Sequence, residues 1–197
     1  MVRAGDTLVN AASGETITFI ETAAETGGDY TVIECAVRPG GGVPMAHVHP
    51  NQSETFEVLE GELSLKAGRD KVVAQAGDVV TVSPGQVHKF WNASDSIVRF
   101  RCTVTPSLGF EQFLQTICAL GADGKLSKRG LPNPLRLAVI ANASFDDSRA
   151  PYVPAWLQKA GLAVGAAVGR LAGYEPTYAP QPAATPELAP QSEPATA

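Results

Sequence analysis

All three histidines of this chain lie in two segments that each begin with a glycine. The first segment, residues 41–61, carries a His-x-His pair followed by a glutamate, and the second, residues 77–92, carries the third histidine. Imidazole and carboxylate groups are common ligands of divalent transition metals. The chain must therefore bring the two segments together if these groups share one ion. The four candidate ligands are His47, His49, Glu54 and His88.

The candidate ligands have mostly apolar neighbours if the two segments form β-strands. Alternate residues of a strand face the same side, so residues two positions apart share a surface. This parity predicts a metal at one end of an apolar cavity, as is typical of a small-molecule pocket. The side chains predicted to line that pocket are Met45, Phe56, Val58, Phe90 and Asn92.

Three imidazoles and one carboxylate suit a single divalent ion of iron, manganese, nickel, copper or zinc. Four protein ligands on an octahedral ion leave two positions for water, dioxygen or substrate. A structural zinc site is more often tetrahedral and rich in cysteine. Here Cys35, Cys102 and Cys118 are scattered and form no C-x-x-C pair. The pattern therefore favours an open site.

The two segments resemble the two motifs of the cupin superfamily. The first motif is Gly, five residues, His-x-His, three or four residues, Glu, six residues and Gly, and every spacing is met between Gly41 and Gly61. The second is Gly, five residues, Pro-x-Gly, two residues, His, three residues and Asn. It is met between Gly77 and Asn92, with Ser83 standing where the family commonly has proline.

This resemblance covers about residues 30–105 and implies a mainly β fold, an antiparallel jelly-roll β-barrel with the metal inside. It also implies metal ligation by the four candidate ligands. In many cupins the glutamate also acts as a base, which implies a catalytic role for Glu54. A homodimer is a further expectation from the family.

Short alternating stretches between glycine-rich turns independently predict an all-β domain over residues 1–105. A hairpin is predicted around Gly61, with residues 54–60 and 62–67 as its arms. The other predicted strands span residues 15–21, 29–38, 71–76, 79–82 and 96–105, and one more begins at His88.

Beyond residue 105 the apolar spacing becomes helical, which predicts a helical extension over residues 106–174. The first helix is expected to begin at Pro106, because proline is favoured at the first helical position. A second is expected from about Pro134 and a third from Pro154 to about Ala172. We expect the extension to pack on the outside of the barrel or to cover its mouth.

Two parts of the C-terminal third are expected to lack helical structure. Residues 121–132 are predicted to form a mobile loop. If this loop covers the mouth of the barrel, Lys125, Lys128 and Arg129 could meet an anionic substrate, and the alternative is a solvated basic loop. Residues 175–197, rich in proline and alanine, predict a disordered tail.

The composition of the 197 residues narrows the partners of the protein. The formal net charge of −5 provides no basic surface for nucleic acid. The uncharged stretch from Ala160 to Gly169 is far shorter than the roughly 20 residues that cross a bilayer. Residues 1–6 are not expected to begin a signal peptide. We therefore expect a cytoplasmic protein with a small-molecule partner, and neither nucleic acid nor membrane.

The function predicted by this site is a metal-dependent oxidoreductase of dioxygenase type that acts on an aromatic or apolar small molecule. The family resemblance extends to small single-domain cupins that are grouped with quercetin-type dioxygenases. A redox-neutral isomerase or decarboxylase, in which the metal polarises a carbonyl, is one alternative. A non-catalytic cupin that binds a small ligand is another.

Overall fold

Two antiparallel β-sheets form the centre of the computed structural model, which describes residues 1–179. The nine strands are β1 (Thr7–Asn10), β2 (Glu15–Glu21), β3 (Thr31–Val37), β4 (Ser53–Glu60), β5 (Glu62–Ala67), β6 (Asp70–Gln75), β7 (Val79–Val82), β8 (His88–Trp91) and β9 (Val98–Thr105). The larger sheet has the order β1-β2-β3-β9-β4-β7 and the smaller has the order β6-β5-β8. The predicted fold class, a mainly β antiparallel jelly roll with a C-terminal helical extension, is confirmed.

Burial alternates along the strands as the sequence predicts. In β9 the apolar side chains at positions 98, 100, 102 and 104 are buried, whereas Arg99 and Arg101 point outward. The rings of Phe56, Phe90 and Phe100 pack against one another, with centroids 5.1–5.8 Å apart. Because Phe90 belongs to the smaller sheet and the other two to the larger, this cluster joins the two sheets.

The predicted hairpin around Gly61 is wrong. β4 pairs with β7 and β9, whereas β5 pairs with β6 and β8, so the two strands belong to different sheets. Gly61 has a φ of +79°, and a Cβ atom there would lie 3.1 Å from the carbonyl oxygen of Ile97. Glycine thus allows the chain to pass sharply from one sheet to the other.

Three helices follow the sheets: α1 (Phe110–Ala122), α2 (Pro134–Ala143) and α3 (Ala155–Leu171). The predicted start of the first helix at Pro106 is wrong, because α1 begins four residues later. The start of α2 agrees with the prediction, and the side chain of Asn133 accepts a hydrogen bond from the N–H of Arg136 there (3.0 Å). α1 lies against β1 and places Cys118 in the core between the sheets.

α3 packs closely on α2 through glycines. A Cβ atom at Gly165 would lie 2.8 Å from the Cβ of Ala138, and one at Gly169 would lie 2.6 Å from a methyl group of Val139. Within residues 1–179, no helix is both long and apolar enough to span a bilayer. Part of the predicted tail lies on α1, since the N–H of Tyr178 donates to Oγ1 of Thr116 (3.3 Å). Residues 180–197 of that tail lie outside the described residues.

Candidate metal centre

The segment that carries His47 and His49 lies beside β8, which begins with His88. Each of His47 and His88 donates its main-chain N–H to the carbonyl oxygen of the other at 3.0 Å. This isolated antiparallel bridge places His47 next to His88, at the start of a strand of the smaller sheet. Glu54 comes from β4 of the larger sheet. The cluster therefore lies where the two sheets face each other.

The structure brings all four predicted ligands together. One ligand atom from each of His47, His49, Glu54 and His88 lies within 4.8 Å of the others. Nε2 of His49 is 3.4 Å from Oε1 of Glu54, and Nε2 of His88 is 2.9 Å from Oε2 of the same carboxylate. The centroids of the three imidazole rings are 4.3–5.1 Å apart.

Each histidine ring donates a hydrogen bond from Nδ1 to a main-chain carbonyl oxygen. His47 donates to Met45 at 3.1 Å, and His88 donates to Gln86 at 3.0 Å. His49 donates to Asp147 at 2.6 Å. A carbonyl can only accept, so Nδ1 carries the hydrogen in each neutral ring and Nε2 keeps its lone pair. Such contacts orient histidines that ligate metals.

The atoms that face the centre of the cluster fit a cation. Nε2 of His49 and Nε2 of His88 are buried and have no hydrogen-bond partner of suitable geometry. Buried polar atoms are normally satisfied, so each such atom needs an explanation. Imidazole lone pairs and a carboxylate that point at one another repel unless a positive charge lies between them. A divalent metal ion meets this requirement.

The charges of the cluster follow from its burial and its internal contacts. Burial, with His88 alongside, lowers the pKa of His47 to about 4. Burial alone would raise the pKa of Glu54, but the neighbouring imidazoles of His49 and His88 outweigh it and hold that pKa well below its ordinary value. Burial alone would lower the pKa of His49, but Glu54 and the carbonyl of Asp147 raise it. Glu54 is therefore ionised at neutral pH.

The predicted pocket residues occupy different environments. Phe56, Val58 and Phe90 are buried in the core on the same strand faces as their neighbouring ligands. Met45 is 49% exposed and lies at the surface, next to the partly exposed His47. The cluster is thus open towards solvent on the His47 side and apolar towards the interior.

Asn92 is engaged in hydrogen bonds within the fold. Its side-chain amide donates to the carbonyl oxygens of Val37 (2.9 Å) and Ser96 (2.7 Å). Its Oδ1 accepts from the N–H of Ser94 (2.9 Å). These bonds give Asn92 a structural role at the end of β8, and a place in the pocket stays a prediction.

Sequence reasoning did not identify the carbonyl groups that hold the rings. Met45 and Gln86 each lie two residues before the histidine they contact, so a local turn pattern could have indicated them. Asp147 is 98 residues from His49. No local signal links those two residues.

Comparison with known proteins supports the assignment made from these residues. The family profile described as Cupin domain matches residues 33–104. No curated protein sequence matches this chain significantly.

Many solved structures are similar to part of the chain, and three of them are described next. An uncharacterised protein with a double-stranded β-helix domain from Klebsiella pneumoniae is 24% identical over 55% of this chain and 90% of its own, with a TM-score of 0.44. A predicted oxalate decarboxylase from Thermotoga maritima is 19% identical over 54% and 98%, with a TM-score of 0.47. An RmlC-like cupin from Shewanella frigidimarina is 17% identical over 54% and 88%, with a TM-score of 0.45.

The two motifs, the jelly-roll sheets and the family profile agree with one another. The profile spans both histidine-bearing segments, and the cluster they form contains three histidines and one glutamate. Residues 33–104 of this chain match the Cupin domain family, and this match supports membership of the cupin superfamily.

Proposed function

We propose that this protein binds one divalent transition metal through His47, His49, Glu54 and His88 and is an enzyme of dioxygenase type. The observation that supports this most is the hydrogen bonding of the three rings. Each Nδ1 is held by a carbonyl, which leaves each Nε2 free as a ligand. The ion is iron, manganese, nickel, copper or zinc, since these accept imidazole together with carboxylate.

In such an enzyme, the residues in and around the cluster would have different roles. A bound redox-active ion would supply the site at which an organic substrate and dioxygen react. Glu54, the carboxylate of the cluster, would accept a proton from a hydroxyl group of the substrate. The buried rings of Phe56 and Phe90 favour an aromatic or apolar substrate. The partly exposed His47 marks the side from which the substrate enters.

The low pKa of Glu54 supports a second candidate. A carboxylate whose pKa lies well below its ordinary value is a weak base, and this favours Glu54 as a metal ligand. The protein would then be a redox-neutral isomerase or decarboxylase, or a cupin that binds a small ligand without turnover. In the first case the metal would polarise a carbonyl group.

Elemental analysis of the purified protein, followed by oxygen uptake with flavonols, catechols and diketones, tests the proposal. We expect about one metal ion per chain and oxygen consumption with at least one substrate class. Glu54→Gln should abolish uptake. Glu57→Gln is the matched control, because Glu57 lies on the same strand, faces outward and pairs with Arg101.

The possible outcomes separate the candidates. Equal turnover with zinc and with iron, without oxygen consumption, would identify the redox-neutral enzyme. An intact small molecule that copurifies and is never converted would identify the binding protein. Wild-type protein that takes up none of the five metals would contradict the proposed site itself.

The site and the charge of the protein support a small-molecule partner. A small-molecule partner agrees with the partly buried cluster, and the net charge of −5 disfavours nucleic acid. The homodimer and the cytoplasmic location stay predictions. Light scattering of the purified protein measures the first, and fractionation of cells measures the second.

A further inference from the structure

The connection between α2 and α3 pairs with the metal-binding segment. The N–H of Val48 donates to the carbonyl oxygen of Arg149, and the N–H of Arg149 donates to the carbonyl oxygen of Val48, both at 3.0 Å. Val48 lies between His47 and His49 in the sequence. The helical extension thus adds a short antiparallel β-bridge to the segment that carries two of the four candidate ligands.

The same connection supplies the carbonyl group that holds His49. The Asp147 oxygen accepts from Nδ1 of His49 at 2.6 Å, which is the shortest of the three ring contacts. Next to it, the side chain of Asn51 donates to the carbonyl oxygen of Asp146 at 3.0 Å. The rings of His47 and His88 donate to carbonyl oxygens of their own segments. Only His49, among the three histidines, depends on the extension.

Asp147 is itself held by α1 and α2. Its side-chain carboxylate lies against Gly109, directly before α1. Its N–H donates to the carbonyl oxygen of Ser144 at the end of α2 (3.0 Å). The side-chain carboxylate lies so close to Gly109 that a Cβ atom there would collide with it. The position of the Asp147 carbonyl therefore follows from the docking of both helices.

We propose that Asp147 is a positioning residue of the metal centre, through which the helical extension sets the tautomer and orientation of His49. The inference rests on the proposed metal site. Because the β-bridge and the carbonyl contact act on the same segment, metal binding and docking of residues 144–149 stabilise each other. Coupling of two binding events is reciprocal by thermodynamic necessity. The loss of a contact that orients a ligand typically lowers metal affinity about 10–100-fold.

The variant Arg149→Pro tests the coupling. Proline removes the N–H that donates to Val48 and leaves all four candidate ligands in place. We expect its affinity for Zn²⁺, measured by competition with a chelating dye, to fall about 10–100-fold. Arg149→Ala is the matched control, because it removes the same side chain and keeps the main-chain N–H. Its affinity should stay close to that of the wild type.

A spectroscopic measurement distinguishes positioning from a general loss of structure. With three histidines in the chain, ¹⁵N–¹H spectra of the imidazoles resolve each ring in the metal-free protein at alkaline pH. Wild type should show all three rings with hydrogen on Nδ1. In Arg149→Pro the His49 ring should become a mixture of tautomers, while His47 and His88 keep theirs.

Hydrogen exchange of the wild type tests the reciprocal effect without any substitution. Saturating Zn²⁺ should slow exchange of the Val48 and Arg149 amides by about 10–100-fold, the same factor as the expected change in Zn²⁺ affinity. This measurement uses only the wild type, so it tests the inference even if Arg149→Pro does not fold. Unchanged exchange, or unchanged Zn²⁺ affinity in a folded Arg149→Pro, would overturn the inference and leave the metal site intact. Wild-type protein that binds neither Zn²⁺ nor any of the other four metals would overturn the metal site and the coupling together.

Discussion

Oε2 of Glu54 lies 2.9 Å from Nε2 of His88, although the two residues come from different sheets. Folding of the domain therefore forms the cluster, and a metal that binds there links the two sheets. A ligand that binds only the folded state stabilises it, by about 2.7 kcal/mol at 100 times its dissociation constant. The metal centre is thus expected to contribute to the stability of the domain.

The first prediction concerns His88→Ala. Zn²⁺ should raise the melting temperature of the wild type and have little effect on the variant. The reason is that the variant lacks His88, one of the four candidate ligands and the neighbour of Glu54. Thermal unfolding with Zn²⁺ and with excess chelator measures the difference. Lys89→Ala, on the opposite face of β8, should respond to Zn²⁺ as the wild type does. An equal response in His88→Ala would show that the ion binds elsewhere.

The second prediction concerns Asn92→Ala. The substitution leaves the carbonyl oxygens of Val37 and Ser96 without their buried donor. We expect it to lower the free energy of unfolding by about 2–3 kcal/mol and to leave Zn²⁺ affinity nearly unchanged. Urea denaturation of the metal-free protein and dye competition measure the two effects. Wild-type stability combined with weakened ligand binding would instead place Asn92 in the pocket.

The third prediction compares two glycines of α3. In Gly169→Ala the new methyl group would lie 2.6 Å from Val139 and 2.8 Å from the carbonyl oxygen of Leu135. Overpacking of this kind should destabilise the protein by about 1–3 kcal/mol. Gly161→Ala has no atom within 4 Å of the new group and should stabilise the helix by up to about 1 kcal/mol. Chemical denaturation of both variants provides the test, and equal effects would contradict the packing of α3 on α2.

The fourth prediction concerns pH and the buried Glu15. Burial raises the pKa of this carboxyl more than the hydrogen bond with Ser13 lowers it. Because the folded-state pKa is the higher one, the protonated group contributes stability that is fully present below pH 4.5 and is lost as pH rises through the folded-state pKa. Relative to the wild type, Glu15→Gln should therefore become more stable as the pH rises from acidic to neutral.

Urea denaturation of both proteins across that pH range measures this gain. The difference between the two unfolding free energies should grow in favour of Glu15→Gln as the pH rises. A constant difference would show that Glu15 has the same affinity for protons in the folded and unfolded states.

Local sequence patterns were sufficient to predict which side chains share a strand face and to identify the four candidate ligands. The side-chain period of a strand is two residues, so Phe56 could be placed on the face of Glu54, and Phe90 on the face of His88, without knowledge of the fold. The period does not identify pairing partners. The hairpin around Gly61 was therefore predicted incorrectly, since a glycine with positive φ suits a hairpin turn and a passage between sheets equally well.

The start of α1 shows a similar limit. Pro106 suits the first position of a helix, yet α1 begins only at Phe110. Proline fixes its own φ and does not require its neighbours to be helical. The start of α2 near Pro134 was predicted correctly, and there the side chain of Asn133 accepts a hydrogen bond from the N–H of Arg136.

The sequence by itself determined which residues could bind a metal and which strand faces carry them, because both depend on residue type and on a short period. Only the tertiary structure decided that β4 and β5 belong to different sheets and that Asp147 holds His49. Both features depend on the path of the chain in space, and His49 and Asp147 are 98 residues apart in the sequence. Main-chain carbonyls carry no sequence signal, since every residue has one.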